Sequence, residues 1–250
     1  MAPDDRSAAG RGGLNRVPRC VVTDIEGTTS AIAFVKETLF PFVERALDGF
    51  LAKNAGDPAV AAILDEVRAL APGQDPADAL RGWMARDEKV TPLKALQGMI
   101  WRQGFEAGAL RGHLWPDVAG CLRAWAAAGI ALRIYSSGSV EAQRLLFGHT
   151  EAGDLTPLLS GFDDTRTGPK REAASYAAIA RTAGLPPAEV LFLSDVVEEL
   201  DAAEAAGMMT CQLVRAADGT VAGTRHPSCA TFPEVAARFG LPAPDEPPAG

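Results

Sequence analysis

The sequence predicts an α/β fold: an open parallel sheet flanked by helices, interrupted after its first strand by an all-helical insert. Three observations predict it. From Pro116 onward, short apolar runs alternate with amphipathic stretches, the pattern of right-handed βαβ units. An earlier run, Val17 to Thr23, has strand character and leads into a carboxylate, Asp24. Between Asp24 and the next polar strand end, at Ser136, lie more than a hundred residues without a convincing strand, whereas βα connections usually take a few residues.

The elements follow in order. Phe34, Val35, Leu39, Phe42, Val43, Leu47, Phe50 and Leu51 recur at helical spacing, and Pro41 is expected to kink or restart that helix. Ala59 to Leu70 and Pro76 to Arg86 read as two more helices. Thr91 reads as the N-cap of a fourth, Leu93 to about Phe105, with Pro92 at its first position. Pro116 to Ala128 is a helix closed by Gly129, followed by a strand, Ile130 to Tyr135, and a helix, Val140 to Phe147. A short turn or strand lies within Leu155 to Phe162. Pro169 to Ala183 reads as a helix closed by Gly184, Val190 to Ser194 as a strand, and Val197 to Ala206 as a helix stopped by Gly207. Met209 to Arg215 is a strand and Phe232 to Phe239 a last helix.

These elements divide the chain into a disordered tail at 1–16, an α/β core at 17–33 and 111–240, a helical cap at 34–110 and a second disordered tail at 241–250. An insert at the carboxyl end of a strand lies over the ligand-binding face of an open α/β sheet, as a lid would.

Composition bounds the function. The 250 residues are 47% hydrophobic and 22% charged with no long apolar run, as in a soluble globular protein. A net charge of −8 argues against nucleic acid or an anionic membrane as partner. Cys20, Cys121, Cys211 and Cys229 are far apart without a CxxC, which suits free thiols in the cytoplasm. The first sixteen residues lack the apolar core of a signal peptide.

Three predicted strands end in polar groups: Asp24 with Glu26, Ser136 with Ser137, and Asp195. If the first strand holds as far as Glu26, alternation points both carboxylates the same way, which suits a hard cation or a nucleophile with an acid/base partner. An acidic loop closed by Gly27 is an equal reading of that stretch alone. Asp195 by itself reads first as a helix N-cap; as the partner of Asp24 it reads as a Mg²⁺ ligand. Glu199 lies where it can look back at Asp195. Ser136-Ser137-Gly138-Ser139 can hold a phosphate or simply cap a helix. Lys170, in the first turn of a predicted helix, opposes the macrodipole, so a role beyond helix stability competes with that of an ordinary exposed lysine. Lys94, Arg166 and Arg171 read as surface charges. His113, His149 and His226 have no metal-ligand spacing and read as structural.

These parts, in this order, resemble the haloacid dehalogenase superfamily of phosphotransferases. Its DxDx[TV] motif would be Asp24-Ile25-Glu26-Gly27-Thr28, its strand-end hydroxyl Ser136 or Ser137, its lysine Lys170 and its late acids Asp195 with Glu199. Glu in the third place of DIEGTTS narrows the resemblance to the enolase-phosphatases of methionine salvage. So do Ile32-Ala33-Phe34-Val35-Lys36, Leu96-Gln97-Gly98 followed by Trp101-Arg102, and the run from Tyr135 to Gln143 with Leu145 to His149. The similarity runs from about Val21 to Arg215.

The resemblance implies a Rossmann-like core with a helical cap, and a monomer that uses Mg²⁺. It implies a small phosphorylated diketone as substrate, 2,3-diketo-5-methylthiopentyl-1-phosphate, enolised and then dephosphorylated to the acireductone. Asp24 would be nucleophile and metal ligand. Glu26 would sit beside the metal, with its carbonyl on the ion and its carboxylate available for acid/base work. Asp195 would complete the protein ligands, Ser136 and Ser137 would bind phosphate, and Lys170 would neutralise the phosphate and Asp24. Other readings are another magnesium-dependent phosphatase of the superfamily and a phosphomutase. A dehalogenase is disfavoured by Glu26 with Asp195, and a non-catalytic binding protein by the presence of Asp24, Lys170 and Asp195 together.

Overall fold

The computed structural model describes residues 17–244; the tail expected at 1–16, and positions 245–250 of the one expected at 241–250, lie outside the described residues. The first strand, β1 (Cys20–Thr23), is followed by a helical run: α1 (Ile32–Phe34), a π-helical turn (Val35–Leu39), α2 (Phe40–Lys53), α3 (Pro58–Leu70), α4 (Pro76–Ala85) and α5 (Thr91–Glu106). Then come α6 (Val118–Ala127), β2 (Ala131–Tyr135), α7 (Val140–Gly148), β3 (Gly161–Asp163), α8 (Ala173–Thr182), β4 (Val190–Ser194) and α9 (Val197–Ala205). The chain closes with β5 (Met209–Leu213), β6 (Ser228–Cys229) and α10 (Phe232–Phe239).

The strands form one six-stranded sheet in the order β3-β2-β1-β4-β5-β6, every neighbour parallel. Strand order reverses at β1, so β1 and β4 flank the switch point where open α/β sheets bind ligands. Thr23 pairs with both Ile134 and Leu193, so β1, β2 and β4 reach their carboxyl ends at nearly one level.

The four inner strands, β1, β2, β4 and β5, are buried on both faces, which explains their apolar runs. Val21, Leu132, Ile134, Leu191 and Leu193 point into one layer with Leu122, Trp125, Phe147 and Phe232. Cys20, Val22, Tyr135, Val190 and Phe192 point into the other with Tyr176, Ile179, Leu200 and Ala203. The segment after β1 has its own core of Val43, Leu47, Val67, Leu80, Trp83, Leu96 and Ile100. Two of its helices, α3 and α4, begin as Asp-Pro pairs dictate: Asp57 and Asp75 accept the Ala59 and Ala77 amides, with Pro58 and Pro76 in the first turn. All four cysteines are free and buried. Among the described residues, no helix is long and apolar enough to cross a membrane.

Several expectations change in detail. Pro41 restarts the helix, as expected, and the detail added is that the turn before it widens to a π-helix, with Pro41 in the first turn of α2. Thr91 opens α5 rather than capping it; the cap is Val90, without a side-chain bond. The strand expected to reach Arg215 ends at Leu213, freeing Arg215 from the ladder. The tail expected from 241 starts too early. Leu241 is buried in the core, and Trp125 Nε1 donates to the Pro242 carbonyl at 3.0 Å.

The two connections between core and insert touch each other through His113. Its Nδ1 accepts the Ala31 amide at 3.1 Å and lies 3.2 Å from Ser30 Oγ, and its ring stacks on Phe34. Asp218 accepts the next amide, of Ile32, at 3.1 Å. Accepting at Nδ1 requires the neutral ring, and burial holds His113 below the ordinary imidazole range against the opposing charges of Asp218 and Glu151. A histidine depressed in the folded state contributes stability that is complete above the unfolded value and is lost as pH falls through and below about 6.5. Wild type is therefore expected to lose more thermal stability between pH 7.5 and pH 5 than His113→Asn, whose amide oxygen can accept from Ala31 without titrating. Parallel melting curves across that range check this, and equal slopes would contradict it.

Candidate active site

The chain leaves β1 at Thr23 and turns at once. Asp24 keeps one ladder bond, its amide to the Leu193 carbonyl at 2.9 Å; then the Thr28, Thr29 and Ser30 amides all point back at the Ile25 carbonyl. The strand does not hold as far as Glu26, so strand alternation does not orient that side chain. The turn does, with Gly27 at φ +71°. Ile25 N–H donates to Asp24 Oδ1 at 2.7 Å, and Thr29 Oγ1 donates to the Asp24 carbonyl at 3.1 Å, so backbone and carboxylate of Asp24 are both held. Asp24 is 5% exposed.

Lys170 meets Asp24 directly, Nζ to Oδ2 at 2.8 Å, and meets Glu199 Oε2 at 2.6 Å. It does not lie in a first helical turn. Lys170 and Arg171 form a turn ahead of α8, closed by the Glu172 amide on the Pro169 carbonyl, and α8 begins only at Ala173, so the macrodipole has no part in the lysine's placement. Tyr135 donates to the Gly168 carbonyl, Ser175 to that of Pro169 and Tyr176 to that of Lys170, at 2.7 to 2.9 Å. Three hydroxyls from the core thus fix the segment that delivers the ammonium. Burial works against its charge, but Asp24 and Glu199 outweigh burial and hold Lys170 above the usual amine range. Glu199, on α9, looks back not at Asp195 but at Ser194, whose Oγ donates to it at 3.0 Å. Burial, then the charge of Asp24, pushes Glu199 up.

Asp195 follows β4 beside this pair. It is not a helix cap: the capping residue of α9 is Val196, with no side-chain bond. The Asp195 amide donates to Thr28 Oγ1 at 3.1 Å and its carbonyl accepts from Gln212 Nε2 at 3.0 Å. Its Oδ1 is buried and makes no hydrogen bond among the described residues. A Cβ on Gly27 would overlap the Asp195 carboxylate, which explains a glycine there beyond the demands of φ. Burial, then Asp24, pushes the Asp195 carboxyl up to about 6. The same two causes raise Glu26, opposed by Lys170 and by two exposed lysines of the helical segment, Lys89 and Lys36.

Ser136 and Ser137 leave β2 next to β1. Ser136 is buried and Ser137 exposed. Neither caps α7; Ser139 does, its Oγ accepting the Ala142 amide at 3.2 Å. The structure thus collects Asp24, Lys170 and Glu199 through direct contacts, with Asp195 bonded to Thr28 of the turn that follows Asp24, Glu26 on that same turn and the two serines on the adjacent strand end. Sequence reasoning assigns no role to Gln212, Arg215 or Asp117, and places Thr28 only within the motif that follows Asp24. Arg215 carried one usable signal, an arginine directly after an apolar strand.

A family model for haloacid dehalogenase-like hydrolases matches residues 18–207. The chain is 56% identical over 222 residues to a protein named enolase-phosphatase E1 in Gluconacetobacter diazotrophicus, covering 89% of this chain and 94% of that one. A protein of the same name in Granulibacter bethesdensis is 55% identical, with 91% and 99% covered. The crystal structure of the UTR4 protein of Saccharomyces cerevisiae superposes with a TM-score of 0.75 at 33% identity, covering 86% of this chain and 98% of that one.

Proposed function

The chain belongs to the haloacid dehalogenase-like hydrolases and, within them, to the enolase-phosphatase E1 family, and on that premise we propose that it converts 2,3-diketo-5-methylthiopentyl-1-phosphate to acireductone and phosphate. It is a phosphatase acting on a small phosphorylated molecule in methionine salvage. The observation that carries the site assignment is the buried contact of Lys170 with both Asp24 and Glu199 at the sheet's switch point.

Phosphatases of this family use a divalent cation, and Mg²⁺ is the ion we assign. The donor chemistry suits a hard cation: Asp24 and Asp195 offer only oxygen, and Asp195 Oδ1 is a buried acceptor that makes no hydrogen bond among the described residues, although Asp24, Glu26 and Asp195 do not form a closed three-carboxylate cluster there. When bound, the ion supplies positive charge to the phosphate oxygens.

The chain's own groups supply the rest. Glu26 takes a proton from the carbon beside the substrate carbonyl, the C–H electron pair becomes the C=C bond, and the carbonyl oxygen takes up a proton from water to give the enol. An Asp24 carboxylate oxygen then bonds to phosphorus while the bond from phosphorus to the substrate oxygen breaks, and that oxygen leaves with a proton. Water attacks phosphorus in the aspartyl-phosphate, releasing phosphate and returning Asp24. Lys170 neutralises charge as the phosphoryl group approaches Asp24, and Ser136 and Ser137 hold its oxygens. The four free cysteines support a cytoplasmic location, and we take the protein as a monomer.

A spectral time course with the diketone, with and without Mg²⁺, beside a phosphate assay, tests the reading. An enol absorbance that rises and then decays as phosphate appears, in the presence of Mg²⁺, is the expected result. Phosphate from generic esters with no enol from the diketone would remove the substrate assignment. Glu26→Gln enolising at the wild-type rate would remove Glu26 as base.

A further inference from the structure

The turn that carries Asp24 and Glu26 is gripped from outside by a side chain that makes no contact with the carboxylates themselves. Arg215 stands just beyond β5, 5% exposed at its side chain. Its Nε and Nη2 both donate to the Thr28 carbonyl, at 3.1 and 2.9 Å. Its Nη1 donates to both oxygens of Asp117, at 3.0 and 3.1 Å, and to the Ala230 carbonyl at 2.9 Å. The guanidinium lies 5.3 Å from the ring centre of Trp115 and 5.7 Å from that of Phe232. All three nitrogens are engaged and two aromatic rings lie close to the guanidinium, an arrangement a lysine cannot reproduce.

Thr28 is the hinge of the arrangement. Its carbonyl is held by Arg215 while its hydroxyl accepts the Asp195 amide at 3.1 Å. A chain of direct contacts therefore runs from Asp117 through Arg215 and Thr28 to Asp195. Asp117 is itself fixed, accepting the Phe232 amide at 2.8 Å. One residue on, the Thr29 carbonyl accepts the Trp115 amide at 2.9 Å. Burying a charged pair is costly, and an apolar pair of similar volume would fill the space as well. What an apolar pair could not do is hold the Thr28 carbonyl at a set distance from the end of β5.

We propose that Arg215, charge-paired with Asp117, is a positioning residue: it fixes the turn bearing Asp24 and Glu26 to the end of β5 and, through Thr28, keeps that turn in register with the loop bearing Asp195. This rests on reading that face of the sheet as the catalytic centre. Carboxylates from two separate loops must converge within fractions of an ångström to share a cation, and a displacement of about 1 Å is enough to cost on the order of 100-fold in rate.

The test compares wild type, Arg215→Lys and Asp117→Asn as full chains. Mg²⁺ binding is measured by calorimetry without substrate, and turnover of p-nitrophenyl phosphate gives kcat and KM. Arg215→Lys is expected to weaken Mg²⁺ binding about tenfold and lower kcat about tenfold or more, with KM for the ester within about threefold. Asp117→Asn keeps the guanidinium and is expected to show the same pattern at smaller size, which decides the matter if the lysine variant does not fold. A lowered melting temperature with kcat and Mg²⁺ affinity both within about twofold of wild type would overturn the proposal, leaving a purely structural ion pair. So would a rise in KM alone. Failure of wild type to act on the diketone would remove the substrate assignment and leave this comparison intact, because neither arm uses that substrate.

Discussion

Asp24→Asn is expected to abolish phosphate release, with kcat lower by about 10⁴-fold or more, because an amide cannot attack phosphorus. The substitution changes no volume. The amide oxygen can still accept the Ile25 N–H that now bonds Oδ1 at 2.7 Å, so the turn should keep its shape. The amide nitrogen would then face Lys170, which retains Glu199 as counter-ion. Enolisation, assigned to Glu26, is expected to continue, so the enol absorbance should rise and persist instead of decaying. A phosphate assay and the spectral trace on one sample separate the two steps. Phosphate release within about tenfold of wild type would remove Asp24 as nucleophile.

Lys170→Met should have the second-largest effect, on both stability and rate. The ammonium is the counter-charge of two buried carboxylates, Asp24 and Glu199, whose side chains are 8% and 11% exposed. Removing one partner of a buried pair leaves uncompensated charge and costs roughly 3–5 kcal/mol. Glu199 is already pushed up by burial and by Asp24, with Lys170 opposing, so loss of the lysine pushes it further. A carboxyl raised in the folded state binds its proton more tightly there than in the unfolded chain. Stability therefore falls as pH rises through the range above the unfolded value of about 4.3, until the folded group is ionised. The melting-temperature deficit of Lys170→Met should be larger at pH 8 than at pH 5. Its kcat should fall about 10³-fold, the scale of losing one preorganised charge at a phosphoryl-transfer centre. Equal deficits at both pH values, with kcat within about tenfold, would show that the lysine carries neither role.

Much of this was legible in the chain because the signals were local. Val21 and Val22 before Asp24, and Val190 to Leu193 before Ser194 and Asp195, are apolar runs that end in a polar residue or acid. Such acids cannot be buried without a reason, so each marks a strand end and a candidate site at once. The length between Asp24 and Ser136 demanded an insert, since no short connection fits it. Lys170 was singled out for a reason that failed: it sits in a turn ahead of α8, and three hydroxyls from the core place it.

By itself, then, the sequence determined the α/β class, the strands whose ends carry Asp24, Ser136 and Asp195, and the helical character of the segment after β1, because apolar period and chain length are local properties. Only the tertiary structure decided that β1 and β4 are neighbours, which brings Asp24 and Asp195 to one switch point. It also decided that Glu199 answers Lys170 rather than Asp195, and that Arg215 reaches back to Thr28 across the sheet. Those pairings join residues far apart in the chain, and a hydrogen bond between distant segments forms only where packing brings both ends together.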